Sequence, residues 1–116
     1  WIEQGGKAVI ADIDEKALGL AKKDLGGEAL TFVCDVTKEA DNAALAAYAI
    51  EQFGQINLVA PFAGIIKDAM MVSPDRETGK VTRKMELADF QKVIDINLTG
   101  VFLTVRECSE QMINHG

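Results

Sequence analysis

Cysteine is scarce in this chain: Cys34 and Cys108 are its only two. Neither stands in a C-x-x-C pair, which argues against thiol–disulfide or catalytic thiol chemistry. One falls in a strand-like run and the other on a helical stripe. Both are therefore expected to be buried free thiols in a reducing, cytoplasmic setting. Positive charge is also in short supply, with 12 Lys and Arg against 18 Asp and Glu and a net charge of −6. Nucleic acid would call for a basic face, so it is not an expected partner, and nothing supports an anionic membrane surface. No apolar run approaches the ~18–20 residues that span a bilayer, and there is no signal-peptide pattern. No internal repeat, no low-complexity tract, no G-x-G-x-x-G and no P-loop occurs, and no metal site is expected.

What is present is apolar periodicity. At 48% apolar content, 116 residues make one domain's worth of chain with enough material for a core. Lys7–Ile13 (KAVIADI) is a short apolar run ended by acids, and reads as a buried strand. Asp14 can cap the helix that follows, with Ala17, Leu18, Ala21 and Leu25 at 3.6 spacing and Gly26-Gly27 as its stop. Ala29–Val36 (ALTFVCDV) is a second strand. Thr37 is a plausible cap for a helix over 38–53, expected to turn Ala40, Ala43, Ala44, Ala47 and Ile50 inward. Ile56–Ala63 (INLVAPFA) reads as a third strand, with Gly64 as its exit. Strands alternating with helices through short turns predict parallel strands, right-handed crossovers and helices on both faces.

Residues 65–85 break the pattern. Pro74, Asp75 and Gly79 mark a turn, and the flanking runs MMVS and KVTRKM are expected to pair as a small hairpin. Arg76, Lys80, Arg83 and Lys84 make a local basic patch, read as a solvated hairpin tip rather than a phosphate or acidic-partner site. The chain opens on Trp1 and closes on Asn114-His115-Gly116, both helix-stop contexts, and both ends are expected to be cut ones.

The longest helical signal is Phe90–Cys108 (FQKVIDINLTGVFLTVREC). Its apolar positions are Phe90, Val93, Ile94, Val101, Val105 and Cys108, with Met112 beyond. Asn97 lies on that stripe. A buried amide there needs specific partners, and the residues alone leave open a satisfied interhelix amide or an active-site amide. In parallel α/β sheets, ligands bind at the carboxyl ends of the strands. Those ends carry Asp12-Ile13-Asp14, Asp35-Val36 and Ala63-Gly64. Asp12 is the best candidate for a ribose-binding carboxylate, which would also repel a 2′-phosphate; Asp14 fits a capping role, and Asp35 fits either a site or a plain turn.

Taken together, GGKAVIADIDEKAL, FVCDVTKEADNAALAAYAIEQFGQINLV and DFQKVIDINLTGVFLTVRE, in that order, resemble the short-chain dehydrogenase/reductases. The general look is of that family's 3-oxoacyl-carrier-protein reductase branch. The resemblance covers nearly the whole chain apart from residues 66–85. It implies an α/β, Rossmann-like, doubly wound parallel sheet, here partial: three strands and their helices, with residues 1–116 forming part of an NAD(P)-binding domain. The family's first strand would lie between Lys7–Ile13 and Ile56–Ala63 in its 3-2-1-4 order, and neither it nor the later strands occur in residues 1–116.

The resemblance also implies roles. Asp12 would bind the adenosine ribose and favour NAD over NADP, with Ile13 beside it; Asp35 and Val36 would flank the adenine. Ala63 and Gly64 would lie against the cofactor, and Asn97 would be the catalytic amide, holding a water and a lysine in a proton relay. The family's Asn-Asn-Ala-Gly is here Pro61-Phe62-Ala63-Gly64. Its Tyr-x-x-x-Lys is missing from residues 1–116, and the one tyrosine, Tyr48, is followed by Glu51-Gln52. The implied function is hydride transfer between nicotinamide and the carbonyl or hydroxyl carbon of a small-molecule substrate, a 3-oxoacyl thioester being one class. The 116 residues alone are expected to be inactive. The alternative is a non-catalytic α/β fragment or nucleotide-binding module. A phosphate-accepting receiver domain fits poorly, because Asp12, Asp14 and Asp35 do not match its carboxylate spacing. Homo-oligomerisation through the helix spanning 87–113 is expected.

Overall fold

The computed structural model describes residues 1–116. A turn of 3-10 helix at Ile2–Gln4 ends on Gly5, whose φ of 82° requires the left-handed region. The chain then enters strand β1 (Ala8–Asp12), helix α1 (Glu15–Leu25), strand β2 (Ala29–Val33) and helix α2 (Glu39–Phe53). β1 and β2 pair in parallel, from Ala8 opposite Ala29 to Asp12 opposite Val33. The amide of Cys34 carries the ladder one step further, donating to the Asp12 carbonyl at 2.9 Å. The β–α–β crossover expected from the alternation is therefore present. Asp14 caps α1 as its position suggested: one carboxylate oxygen accepts from the amides of Lys16 (2.9 Å) and Ala17 (3.2 Å).

The expected third strand does not form. Ile56–Ala63 enters no ladder, and the parallel sheet has two strands rather than three. A strand exists only by hydrogen-bonding a neighbour. In the implied strand order, the neighbour of this segment is a strand that residues 1–116 do not contain. Pro61 has no amide to offer, and the amide of Phe62 turns back locally to the Ala60 carbonyl at 3.0 Å. Leu58 (65% exposed), Phe62 (91%) and Ile66 (82%) consequently face solvent. The radius of gyration, 18.7 Å, exceeds the roughly 13 Å of a closed domain of this length. These elements do not close a core by themselves.

The expected hairpin does form: β3 (Val72–Pro74) and β4 (Val81–Lys84) pair antiparallel with a bulge at Ser73/Pro74. Asp75 builds its turn, one carboxylate oxygen accepting from the amides of Glu77 (3.1 Å) and Thr78 (2.7 Å) and from the Thr78 hydroxyl (2.8 Å). Helix α3 (Leu87–Ile94) follows, then a π turn (Asp95–Gly100) running directly into helix α4 (Val101–Asn114).

Two expectations about faces are corrected. On α2, Ala40, Ala43, Ala44 and Ala47 are exposed and Ile50 half-buried, whereas Asn42, Leu45 and Ala46 are buried. A helix this rich in alanine is apolar nearly all round, so periodicity does not select its inner face. Along Phe90–Cys108 the stripe holds only in part. Cys108 is buried and Val93, Ile94 and Val101 are half-buried as expected, but Phe90 is 51% exposed, and Gly100, Leu103 and Thr104 are buried where Val105 is 37% exposed. A π turn takes up more residues than an α turn, so a strict 3.6 period carried across it loses phase. The core is accordingly small and lies between α2 and α4 and beneath α1, around Leu18, Ala29, Cys34, Leu45 and Leu103.

Candidate functional site

The carboxyl ends of β1 and β2 lie side by side because the strands are parallel and in register. β1 ends at Asp12, whose Oδ1 accepts from the Asp14 amide at 2.8 Å; Oδ2 has no protein partner. Ile13, 66% exposed, follows. Beyond β2, Asp35 sits in a turn it stabilises itself. Its Oδ1 accepts from the Thr37 amide (3.1 Å) and hydroxyl (2.7 Å), and its own amide donates to Asp41 Oδ2 (2.9 Å). Those Thr37 bonds, with Lys38 nearby, hold the Asp35 carboxyl below its ordinary pKa. Thr37 thus serves this turn rather than α2, whose N-cap is Lys38 with no side-chain cap bond. A cleft of about 450 Å³ opens between these strand ends and the next helical segment, lined among others by Ile13, Asp35, Thr37, Lys92 and Ile96.

Asn97 occupies the middle of the π turn. It is exposed, not buried on the helix stripe as expected, and its partner is main chain rather than a neighbouring helix. Its Nδ2 donates to the Ile65 carbonyl at 2.8 Å, and its Oδ1 accepts from the Ile65 amide at 2.8 Å. An amide has two hydrogens and two lone pairs to share, so each of these atoms keeps capacity for one further bond. The pair pins the exit of the Ile56–Ala63 segment to the helix. A Cβ built on Gly64 would lie 3.4 Å from Asn97 Oδ1, ordinary van der Waals contact. The Asn97 contact therefore leaves room for a side chain at Gly64.

The structure thus brings Ile13 and Asp35 into one cleft, and Gly64 and Asn97 into a second grouping. Val36 links the two, because its side chain seats against Gly100 at the end of the π turn. Two polar residues passed over in the sequence join the elements. Asn42, 1% exposed, donates to the carbonyls of Val36 (2.9 Å) and Lys38 (2.8 Å). Thr104 meets Asn42 Oδ1 at 2.7 Å and the Gly100 carbonyl at 2.9 Å. The available signal was an asparagine, a poor helix former, amid the alanines of α2. No group of three or more His, Cys, Asp or Glu residues is arranged to hold a metal ion. No helix is long and apolar enough to cross a membrane.

The family model described as "short chain dehydrogenase" matches residues 1–116. This chain belongs to that family. Over 111 residues it is 40% identical to "Borneol dehydrogenase, mitochondrial" of Lavandula x intermedia, covering 94% of this chain and 38% of that protein. Its fold superimposes with a TM-score of 0.78 on a "Short-chain dehydrogenase/reductase SDR:Glucose/ribitol dehydrogenase" from Brucella melitensis. That match has 28% identity and covers 95% of this chain and 43% of the other. A second Brucella melitensis structure, a "3-ketoacyl-(acyl-carrier-protein) reductase" complexed with NADH, matches at TM-score 0.75 and 25% identity, covering 95% and 41%. The chain spans about two fifths of the length of these short-chain dehydrogenase relatives. Members of the family are oxidoreductases with a Rossmann-type fold that use NAD(P). The parallel β1–β2 pair and the crossover described above are part of that fold.

Proposed function

We propose that the full-length protein is a nicotinamide-dependent oxidoreductase, and that residues 1–116 supply the adenosine side of its dinucleotide site together with the relay amide Asn97. The bound dinucleotide would accept or deliver the hydride exchanged with a carbonyl or hydroxyl carbon of a small-molecule substrate. The observation carrying this reading is the convergence of both strand ends on one cleft beside the π turn. Ile13 and Asp35 both line it, and Asp12, next to Ile13 in the chain, keeps a carboxylate oxygen free of protein partners.

A ribose offers two hydroxyl donors to such an oxygen, and a 2′-phosphate would meet its charge; NAD is therefore favoured over NADP. Asp35 and Val36 would flank the adenine. The small Ala63 and Gly64 fit close approach of a cofactor to backbone. Asn97, fixed by Ile65, keeps the spare donor and acceptor a proton relay requires. Residues 1–116 would form one portion of a single NAD(P)-binding domain. A 3-oxoacyl thioester is the substrate class favoured by the likeness to the reductase solved with NADH. Leu98 (63% exposed), Phe102 (58%) and Val105 on the outer side of the helix spanning 87–113 favour pairing with a second copy. The free, buried Cys34 and Cys108 favour a reducing, cytoplasmic setting.

The deciding experiment is fluorescence titration of the full-length protein with NADH and NADPH. Saturable binding with preference for NADH is expected, and preference for NADPH overturns the role of Asp12. A second reading rests on Tyr48, which is half-buried on α2 with its ring tilted 41° to that of Phe32, centroids 5.2 Å apart, and has no lysine four residues on. It cannot serve as the family's acid–base tyrosine, so residues 1–116 alone are a binding module without turnover. Oxidation of NADH by those residues with an acetoacetyl thioester would refute that.

A further inference from the structure

Two buried polar side chains outside the site described above tie its two halves together. Asn42, on α2, uses both amide hydrogens inward, on the carbonyls of Val36 (2.9 Å) and Lys38 (2.8 Å). Its Oδ1 is left for Thr104 on α4, 2.7 Å from the hydroxyl. The same hydroxyl lies 2.9 Å from the carbonyl of Gly100, the last residue of the π turn that carries Asn97. A hydroxyl has one hydrogen, so the two acceptors share it. Val36 closes the circuit: its carbonyl holds Asn42 and its side chain packs on Gly100, where an added Cβ would fall 2.7 Å from Val36 Cγ2. Asn42 is 1% and Thr104 9% exposed, so water is poorly placed to replace either partner. A half-broken buried pair leaves a desolvated polar atom, which the structure relieves by shifting.

We infer that Asn42 and Thr104 are positioning residues: their buried hydrogen bond holds the Asp35–Val36 turn and the Asn97-bearing π turn in fixed relation, coupling dinucleotide affinity to relay alignment. This inference rests on the dinucleotide reading above. The other side-chain hydrogen-bonded link between α2 and α4 is the Arg106–Glu39 ion pair, 2.8 Å long and exposed, which touches neither turn. It provides a control, since cutting it loosens the same two helices without disturbing Val36 or Gly100.

The test uses the full-length protein and three variants. Thr104→Val keeps the shape but removes the hydroxyl; Thr104→Ser keeps the hydroxyl; Arg106→Ala cuts the surface pair. For Thr104→Val, the dissociation constant for NADH is expected to rise and kcat per active site to fall, each about tenfold. Hydrogen exchange at the Ile65 amide, which bonds Asn97, is expected to quicken. Thr104→Ser should restore all three, and Arg106→Ala should leave them within about twofold. A folded Thr104→Val protein that matches wild type in binding and turnover overturns the inference, as does a loss that Thr104→Ser fails to restore or Arg106→Ala reproduces. Wild-type protein that binds neither NADH nor NADPH overturns the dinucleotide reading, and this inference with it.

Discussion

The side-chain amide of Asn97 and the main chain of Ile65 form a reciprocal pair, with Nδ2 donating to the carbonyl and the amide donating to Oδ1, both at 2.8 Å. Thirty-two positions separate the two residues. The bond therefore acts as a long-range staple between the unpaired extended segment and the helical arm. It requires an amide: a carboxylate would face the Ile65 carbonyl with like charge, and an aliphatic chain would satisfy neither atom.

Replacing Asn97 with Ala removes both bonds. We expect a loss of about 1–2 kcal/mol in unfolding free energy, since two modest hydrogen bonds at an exposed site are given up. In the full-length protein, under the oxidoreductase role proposed above, kcat should fall more than the KM for dinucleotide changes. Denaturant unfolding and steady-state kinetics give the two numbers; an unchanged kcat would remove Asn97 from the relay.

Asp12→Asn separates charge from capping. The asparagine oxygen can still accept the Asp14 amide that Oδ1 holds at 2.8 Å, so the start of α1 stays intact. Only the negative charge that would oppose a 2′-phosphate disappears. The ratio of kcat/KM for NADPH to that for NADH is expected to rise about tenfold or more, a change of at least roughly 1.4 kcal/mol in discrimination. An unaltered ratio would place cofactor selection elsewhere.

Gly100→Ala sets two effects against each other. Alanine improves helix propensity by about 1 kcal/mol. Its Cβ, however, would stand 2.7 Å from Val36 Cγ2 and 3.2 Å from Val36 Cβ. Overpacking of that kind costs about 1–3 kcal/mol. We expect net destabilisation, relieved in the Gly100→Ala/Val36→Ala double variant. A stabilised single variant would mean that Val36 is free to move.

The pH dependence of stability has two limbs. Burial, with Asp41, Asp35 and Cys108 nearby, pushes the Cys34 thiol from 9.0 up to about 11. The unfolded chain loses that proton first, so the contribution of Cys34 is whole below pH 9 and is lost as pH rises toward 11. Asp35 runs the other way. Its carboxyl is lowered from 3.8, chiefly by its bonds to Thr37, so its contribution is present above pH 3.8 and fades as pH falls through the folded value. Urea midpoints across both ranges are the measurement. Cys34→Ala should flatten part of the alkaline limb and leave the acid limb untouched. Alkylation of native Cys34 and Cys108 at neutral pH should be slow, since burial raises both thiols.

Much of the local structure was readable from residue order. Asp14 as a cap, the Asp75 turn with its hairpin, the parallel β1–β2 pair and the glycine stops all follow from chemistry within a few positions, and all are present. So was the family, whose three ordered motifs cover most of the chain. Less legible was anything that depended on a distant partner. Ile56–Ala63 has strand composition yet no neighbour to pair with. The alanines of α2 carry no signal for which side turns inward. Asn42 and Thr104 look like indifferent polar residues until α2 and α4 are brought together.

The sequence by itself determined the helices α1 and α2, the β1–β2 crossover, the hairpin and the family, because these depend on periodicity, capping and short motifs that act within a turn or two. The tertiary structure alone decided that Asn97 faces Ile65 rather than the helix core, that Gly100, Leu103 and Thr104 join Cys108 on the buried side of the long helix, and that Asn42 joins the Val36 turn to Thr104. The physical reason is the same in each case: a π turn and a buried hydrogen bond are set by what lies across the fold, and no local pattern encodes it.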